Sequence, residues 1–224
     1  MAHNDKVKLT IFQRLDKFGD LFFLNLLFVI SCIPIVTIGA AFTAMYSYTI
    51  KLVNDEEPTL WKGYWKAFKS NFKDATKAWL VVLLMLAIIY LEFVLSYSLT
   101  GIALAVDLGV MAIEAVFLSF TLPLLFPLIS RYENTTLNMF KNAFLLNISN
   151  LGTWFYLFFI WVLPVSVYAL QKKVLYYSWY LWLLILISVI AYASSFMIVK
   201  LFNKVEKDDN EESSQDEADN DEKV

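Results

Sequence analysis

Residues 21–50 run for thirty positions without one charged side chain. Crossing the hydrocarbon core of a bilayer takes about 20 apolar residues, so this one stretch already exceeds a membrane span. Three further regions are long enough to span: Ala78–Val106 and Leu108–Ser130, each with a single acid, and Asn142–Val199, broken only by Lys172 and Lys173. No soluble core formed from 224 residues can absorb four such stretches. The composition agrees, at 59% hydrophobic and 17% charged, against about 45–50% and 25% in soluble domains. Soluble, disordered and secreted disulfide-rich classes are excluded, and the chain reads as an all-α polytopic membrane protein.

The net charge of −3 averages two unlike parts. Residues 206–224 hold ten acids and two lysines, a charge of −8; residues 1–205 hold 16 basic and 11 acidic residues, a charge of +5. The acidic tail has almost no apolar side chain and is expected to be disordered. The N-terminal segment 1–20 does not read as a cleavable signal peptide, because the apolar run that follows it is too long and ends in no small-residue cleavage pattern. Residues 21–205 then form one transmembrane helical domain.

Pro34 and Gly39 punctuate the first apolar run. Proline removes a backbone donor and disfavours helix at the residue before it, and glycine is a weak helix former. They predict a helix break with short arms at 21–33 and 37–53, against the alternative of one bent span. The remaining spans are expected at 78–100, 108–130, 151–170 and 174–199. Basic residues collect on cytoplasmic loops, and the six-helix arrangement puts 16 Lys and Arg on the side of both termini and only Lys172 and Lys173 on the other. A single first span would leave 12 against 6. The count favours six helices with both termini cytoplasmic.

Between Leu60 and Ala75, Trp61, Tyr64, Trp65, Phe68 and Phe72 recur at helical spacing, while Lys62, Lys66, Lys69 and Lys73 occupy another face. This predicts an amphipathic helix at 59–76 lying in the membrane interface, with its lysines toward anionic headgroups. A nucleic-acid partner would leave the aromatic face unused and is not expected. A shift of 76 residues aligns Thr59 with Thr135, Tyr64 with Phe140, Ala67-Phe68 with Ala143-Phe144 and Asn71 with Asn147. That similarity predicts a second interfacial helix at 136–148 and raises the question of an internal duplication, since aromatic-rich sequences also match themselves by chance.

Several segments together carry a family resemblance. They are Leu26 to Ala41 with its Ile33-Pro34-Ile35 core, then Thr43-Ala44-Met45-Tyr46, Lys51-Leu52-Val53, Lys66-Ala67-Phe68-Lys69-Ser70-Asn71-Phe72 leading into Trp79, and the later Lys141-Asn142-Ala143-Phe144. The chain resembles the YesL family of bacterial integral membrane proteins over roughly residues 10–200, most specifically in the first eighty. The resemblance implies the plasma membrane of a Gram-positive bacterium and an association with carbohydrate uptake systems of the ABC type. It supplies no activity and no catalytic residues.

Ionisable groups inside membrane spans are costly and therefore informative. Two stand out, Glu92 and Glu114, on either side of an outer turn expected at 101–107. Their near-equal distances from that turn place them at similar depth, as a candidate carboxylate pair that shares a proton or binds a cation. The plainer reading is that each is neutral or reaches the interface. Cys32, the lone cysteine, reads as a small packed residue, and His3, the lone histidine, lies outside the spans, so no metal site and no cofactor is expected. Pro123 and Pro127 read as the exit of the fourth helix. Trp154, Tyr156, Trp161, Tyr168, Tyr176, Tyr177, Trp179, Tyr180 and Trp182 read as lipid-facing and interfacial aromatics. The expected function is non-enzymatic: an accessory or regulatory membrane protein, partnered by an ABC-type sugar permease or a sensor kinase. The alternative is a small transporter or channel component built on Glu92 and Glu114.

Overall fold

The structure is a computed structural model that describes residues 2–56, 58–170, 173 and 180–221; for 2–16, 168–170, 182–183, 209 and 212–221 it describes the backbone alone. Seven α-helices follow one another among the described residues: α1 (Ala2–Ser31), α2 (Ile38–Val53), α3 (Leu60–Ser96), α4 (Gly101–Arg131), α5 (Thr136–Ser149), α6 (Leu151–Leu170) and α7 (Ile187–Asp221). A 3-10 turn, Ile35–Thr37, precedes α2, and a π-helical turn, Trp182–Leu186, precedes α7. The chain is an all-α polytopic membrane protein. Four helical segments are long and apolar enough to cross a bilayer: Ile35–Val53, Leu60–Ser96, Gly101–Arg131 and Leu184–Asp208. The pair Thr136–Ser149 and Leu151–Val167, bent by 106°, makes a fifth if counted as one broken span.

The first apolar run is two helices. α1 ends at Ser31 and α2 begins at Ile38, with Pro34 between them. Thr37 ties the tip, its Oγ1 lying 2.5 Å from the Ser31 carbonyl and 2.7 Å from that of Pro34. Phe28 meets Phe42 edge-on at 4.8 Å, Tyr48 donates to Asp20 at 2.8 Å, and Lys17 pairs with Asp55 at 3.0 Å. These partners step along the two helices in opposite directions, so α1 and α2 form an antiparallel hairpin whose open end carries the charges. Gly39 is not part of the break. It is the second residue of α2, and a Cβ there would lie 2.5 Å from the Ala75 carbonyl oxygen and 2.6 Å from the Trp79 Cβ. Its role is close approach: α2 and α3 touch where a side chain would hold them apart, the small-residue packing that lipid-embedded helices favour. Trp79 then donates its indole N–H to the Ile35 carbonyl at 2.7 Å, fixing the tip of the hairpin to α3.

Four boundaries differ from the sequence expectation, the first being that α1 begins at Ala2 and not at 21, so that residues 2–20 are continuous with the first apolar helix. The amphipathic segment 59–76 and the span expected at 78–100 are one helix, α3. Sharp turns in helices arise at proline or glycine–serine pairs, and between Gly63 and Ser96 there is neither proline nor glycine. The segment therefore extends the span instead of turning to lie beside it. The turn expected at 101–107 is at Tyr97–Thr100, because Gly101 takes φ +61°, a conformation that suits glycine, and Ile102 onward continues as helix. The acidic tail, expected to be disordered, continues α7 as helix through Asp221. Extending an existing helix avoids the nucleation cost, and the Lys207–Glu211 pair at 3.5 Å has the spacing that supports it. Lys172, residues 174–179 of the span expected at 174–199, and with them Tyr176, Tyr177 and Trp179, lie outside the described residues.

α4 runs through both Pro123 and Pro127 to Arg131, one residue past the end expected at 130. Pro123 cannot donate to the carbonyl four residues back, that of Ser119. The Trp154 indole N–H donates to that carbonyl at 2.9 Å, and the Asn147 side-chain amide donates to the neighbouring Phe120 carbonyl at 2.6 Å. Side chains from α5 and α6 thus occupy acceptors around the proline, which lets helix continue through it. The π-helical turn is treated likewise: Asn25, fully buried on α1, accepts the Ser188 backbone N–H at 2.9 Å.

Candidate functional site

The core lies among α1, α2, α7 and the halves of α3 and α4 nearest the charged end, with Met139, Phe140 and Ala143 of α5 and Leu157 of α6 closing it. Many of its polar side chains are paired with one another or with backbone. Thr49 and Ser195 meet at 2.7 Å, and Ser194 and Ser195 bond to carbonyls one turn back at 2.8 Å each. Past Val82 no residue of α3 is buried, and before Leu118 none of α4 is. The outer halves of these two helices therefore project from the bundle as a separate hairpin.

Glu92 and Glu114 stand on this projection, not in the packed bundle. Glu92, from α3, lies within electrostatic reach of both Glu114 and Asp107, which are seven residues apart on α4. All three are half-buried, and each has one carboxylate oxygen shielded from solvent that meets no hydrogen-bond partner among the described residues. Asp107 escaped the sequence reading because it was placed in the turn, and the shift of that turn brings it into the helix. Among the described residues no group of three or more His, Cys, Asp or Glu side chains is arranged to hold a metal ion.

The basic and aromatic residues of the α3 amphipathic segment divide as their spacing predicts. Lys62, Lys66, Lys69 and Lys73 are exposed. Trp65 and Phe68 are half-buried against the core and Tyr64 is wholly buried, while Trp61 is 66% exposed. The rings form a ladder along the helix: Trp61 to Trp65 at 6.3 Å, Trp65 to Phe68 at 5.3 Å and Phe68 to Phe72 at 5.6 Å. The middle of this ladder, Trp65 and Phe68, packs on protein, while its ends, Trp61 and Phe72, are exposed. α5, its counterpart in the proposed duplication, is a separate helix bent away from α6, so the two segments fold differently.

At the charged end α2, α3, α4 and the start of α5 enclose a polar cavity of about 430 Å³. Lys51, Lys66 and Arg131 line it together with Ser70, Asn71 and Asn134, and the acids Asp74 and Glu133 share the lining. Asp74 is paired with Lys77 at 3.2 Å, and Arg131 with Glu206 of α7 at 2.9 Å, where Tyr132 also donates to Glu206 at 2.7 Å. Lys51 and Lys66 thus share the lining with hydroxyl and amide groups and with Glu133, an arrangement able to hold a small polar group. A second polar cavity of about 280 Å³ continues past Lys51 and Lys66 to Lys62 and Glu56. Of these residues Lys62 and Lys66 were singled out for the amphipathic face, and Lys51, Ser70 and Asn71 fall in the segments that carry the family resemblance; nothing in the sequence joined them to Arg131, Glu133 and Asn134. Deeper in the fold, Phe42, Tyr46, Trp79, Phe126 and Trp161 line an apolar cavity of about 310 Å³. Trp161 donates to the Tyr46 hydroxyl at 3.2 Å.

Residues 21–93 match the family described as Protein of unknown function, DUF624. The match covers under half of the chain. It takes in the apolar half of α1, all of α2 and most of α3, and therefore the Gly39 contact, the Trp79–Ile35 bond, and both Lys51 and Lys66. No curated protein matches the chain, and no solved structure does.

Proposed function

We propose that this chain is a non-enzymatic multi-pass protein of the plasma membrane with an accessory or regulatory role. The charged end, where Lys17, Asp55, Arg131 and Glu206 meet, is then cytoplasmic, as the 16-to-2 distribution of basic residues favours. Both termini lie on that side, and the exposed lysines of α3 meet anionic headgroups where the helix leaves the membrane. Resemblance to the YesL family, in the segment that also matches the family of unknown function, extends the proposal to a Gram-positive bacterium, with an ABC-type sugar permease or a sensor kinase as partner.

One observation carries the accessory reading: the intramembrane acids stand on a projecting hairpin, outside the packed bundle, where polar contacts such as Thr49–Ser195 and Asn25–Ser188 join helix to helix. A path for solute built on Glu92 and Glu114 would need them to line the bundle. The transporter alternative retains one support, the electrostatic proximity of Glu92 to Glu114. Purification in mild detergent with identification of co-purifying proteins, paired with flux measurement in proteoliposomes, separates the two. The accessory reading expects a permease or kinase in stoichiometric amount and no flux from the protein alone. Flux that falls in Glu92→Gln would replace it with the transporter.

A further inference from the structure

Residues 78–130 contain three acids, Glu92, Asp107 and Glu114, and no lysine, arginine or histidine. At about 1.5 Å per residue, Glu92 lies roughly 6 Å from the outer end of α3, Asp107 roughly 9 Å into α4 and Glu114 roughly 20 Å into it. Glu92 and Asp107 can lean toward the outer interface, but Glu114 is deep in the hydrocarbon. Lipid tails suit the exposed apolar flanks of the hairpin, among them Leu84, Phe93, Val106 and Ile113. They offer nothing to a carboxylate, and an ionised or unpaired acid at that depth is costly. Each of the three has an oxygen turned away from solvent and without a partner among the described residues. A second copy docked hairpin to hairpin would bring acids against acids in a medium of low dielectric constant. The chemistry that complements this face is a cation at membrane depth.

We propose that the α3–α4 hairpin is a docking face for a transmembrane helix of another protein that carries a lysine or arginine within the membrane, with Glu114, Asp107 and Glu92 as its acceptors. The basic side chain enters between the two helices on their acidic side, and the apolar residues around it supply the packing. The inference deepens the accessory reading and rests on it for the partner being another membrane protein. The test below reads docking alone, so its failure is distinguishable from failure of the purification experiment.

The full-length protein carrying Cys32→Ser and Ser98→Cys is labelled with a fluorescent donor at the exposed outer turn and reconstituted in neutral phosphatidylcholine vesicles. The probe is a synthetic leucine–alanine transmembrane peptide with an acceptor dye and one lysine at its centre, compared with the same peptide bearing leucine or glutamate there. Interhelical polar contacts in membranes are modest, so the lysine peptide is expected to associate at least about threefold more tightly than the leucine peptide, and the glutamate peptide no more tightly than leucine. The difference should vanish in the Glu92→Gln/Asp107→Asn/Glu114→Gln variant; should that variant not fold, Glu114→Gln alone is expected to lose most of it. Equal association of lysine and leucine peptides overturns the proposal, as does a lysine preference that survives neutralisation. Energy transfer between labelled copies of the protein that neutralisation changes would assign the face to a second copy and overturn it as well.

Discussion

Gly39→Ala adds one methyl group at the tightest point between α2 and α3. The new Cβ would lie 2.5 Å from the Ala75 carbonyl oxygen and 2.6 Å from the Trp79 Cβ, with the Phe126 ring at 3.1 Å. The first two belong to or sit directly on the α3 main chain and cannot rotate aside, so the helices must part by about 1 Å to restore ordinary contact. Inserting a methylene into a well-packed core costs about 1–3 kcal/mol. The helix preference of alanine over glycine returns at most about 0.5–1 kcal/mol, and less at the second residue of a helix. The expected net loss is about 1–2 kcal/mol. At about 2–4 °C per kcal/mol for a chain of this size, the melting temperature in detergent should fall by roughly 2–8 °C. Tryptophan fluorescence should also report loosening of the Trp79–Ile35 bond. Gly109→Ala in α4 is the control: nothing lies within 4 Å of its added Cβ, so it should melt at or slightly above the parent. If Gly39→Ala is as stable as Gly109→Ala, the close approach is not real and the account of α2 against α3 fails.

Other outcomes follow from the same geometry. Trp154→Phe should destabilise by about 1–3 kcal/mol, because it removes the donor to the Ser119 carbonyl that Pro123 leaves without its helical partner. In a Pro123→Ala background, where α4 regains its own ladder, the cost should shrink; a double-mutant cycle of melting temperatures checks the coupling. Glu206→Gln loosens the bond from α7 to Arg131 and Tyr132 and should cost about 1 kcal/mol or less, since the pair is partly exposed; added salt should narrow the difference. Its hydrogen bond to Asp55 holds the Lys17 ammonium above the ordinary lysine value. That contribution is complete at neutral pH and is lost as pH rises through the raised value. The small stability gap between the parent and Lys17→Met should therefore close in strong alkali and persist in mild acid.

What the sequence disclosed, and what it withheld, follows from the range of the interactions involved. Long apolar runs and the break at Pro34 are local properties, and they located the helices and the hairpin at 21–50. Gly39 was misread because a glycine near a proline looks like punctuation, whereas its reason is the Ala75 carbonyl 36 residues away. α3 was divided in two because its polarity changes near Lys77, yet polarity alone bends no helix. How α4 continues through Pro123 was not legible, because the groups that let it continue, Asn147 and Trp154, come from later helices. The carboxylates Glu92 and Glu114 were visible as charges in apolar runs. Asp107 became visible only once the turn moved to Tyr97–Thr100. The cavity around Lys51, Lys66 and Arg131 had no local signal, being assembled from α2, α3, α4 and the start of α5 by packing.

The central claim is that the charged ends of the helices lie together on the cytoplasmic side, with the α3–α4 turn emerging opposite them. Single cysteines at Asp55, Ser98, Glu133 and Lys204 in a Cys32→Ser background, tested in intact cells with a membrane-impermeant thiol reagent, address it directly. The account predicts that only the cysteine at Ser98 reacts from outside, and that those at Asp55, Glu133 and Lys204 react only after the cells are opened. External labelling at Asp55 together with Ser98 would contradict it, because α3 would then fail to cross and the α1–α2 hairpin would not return to its own side.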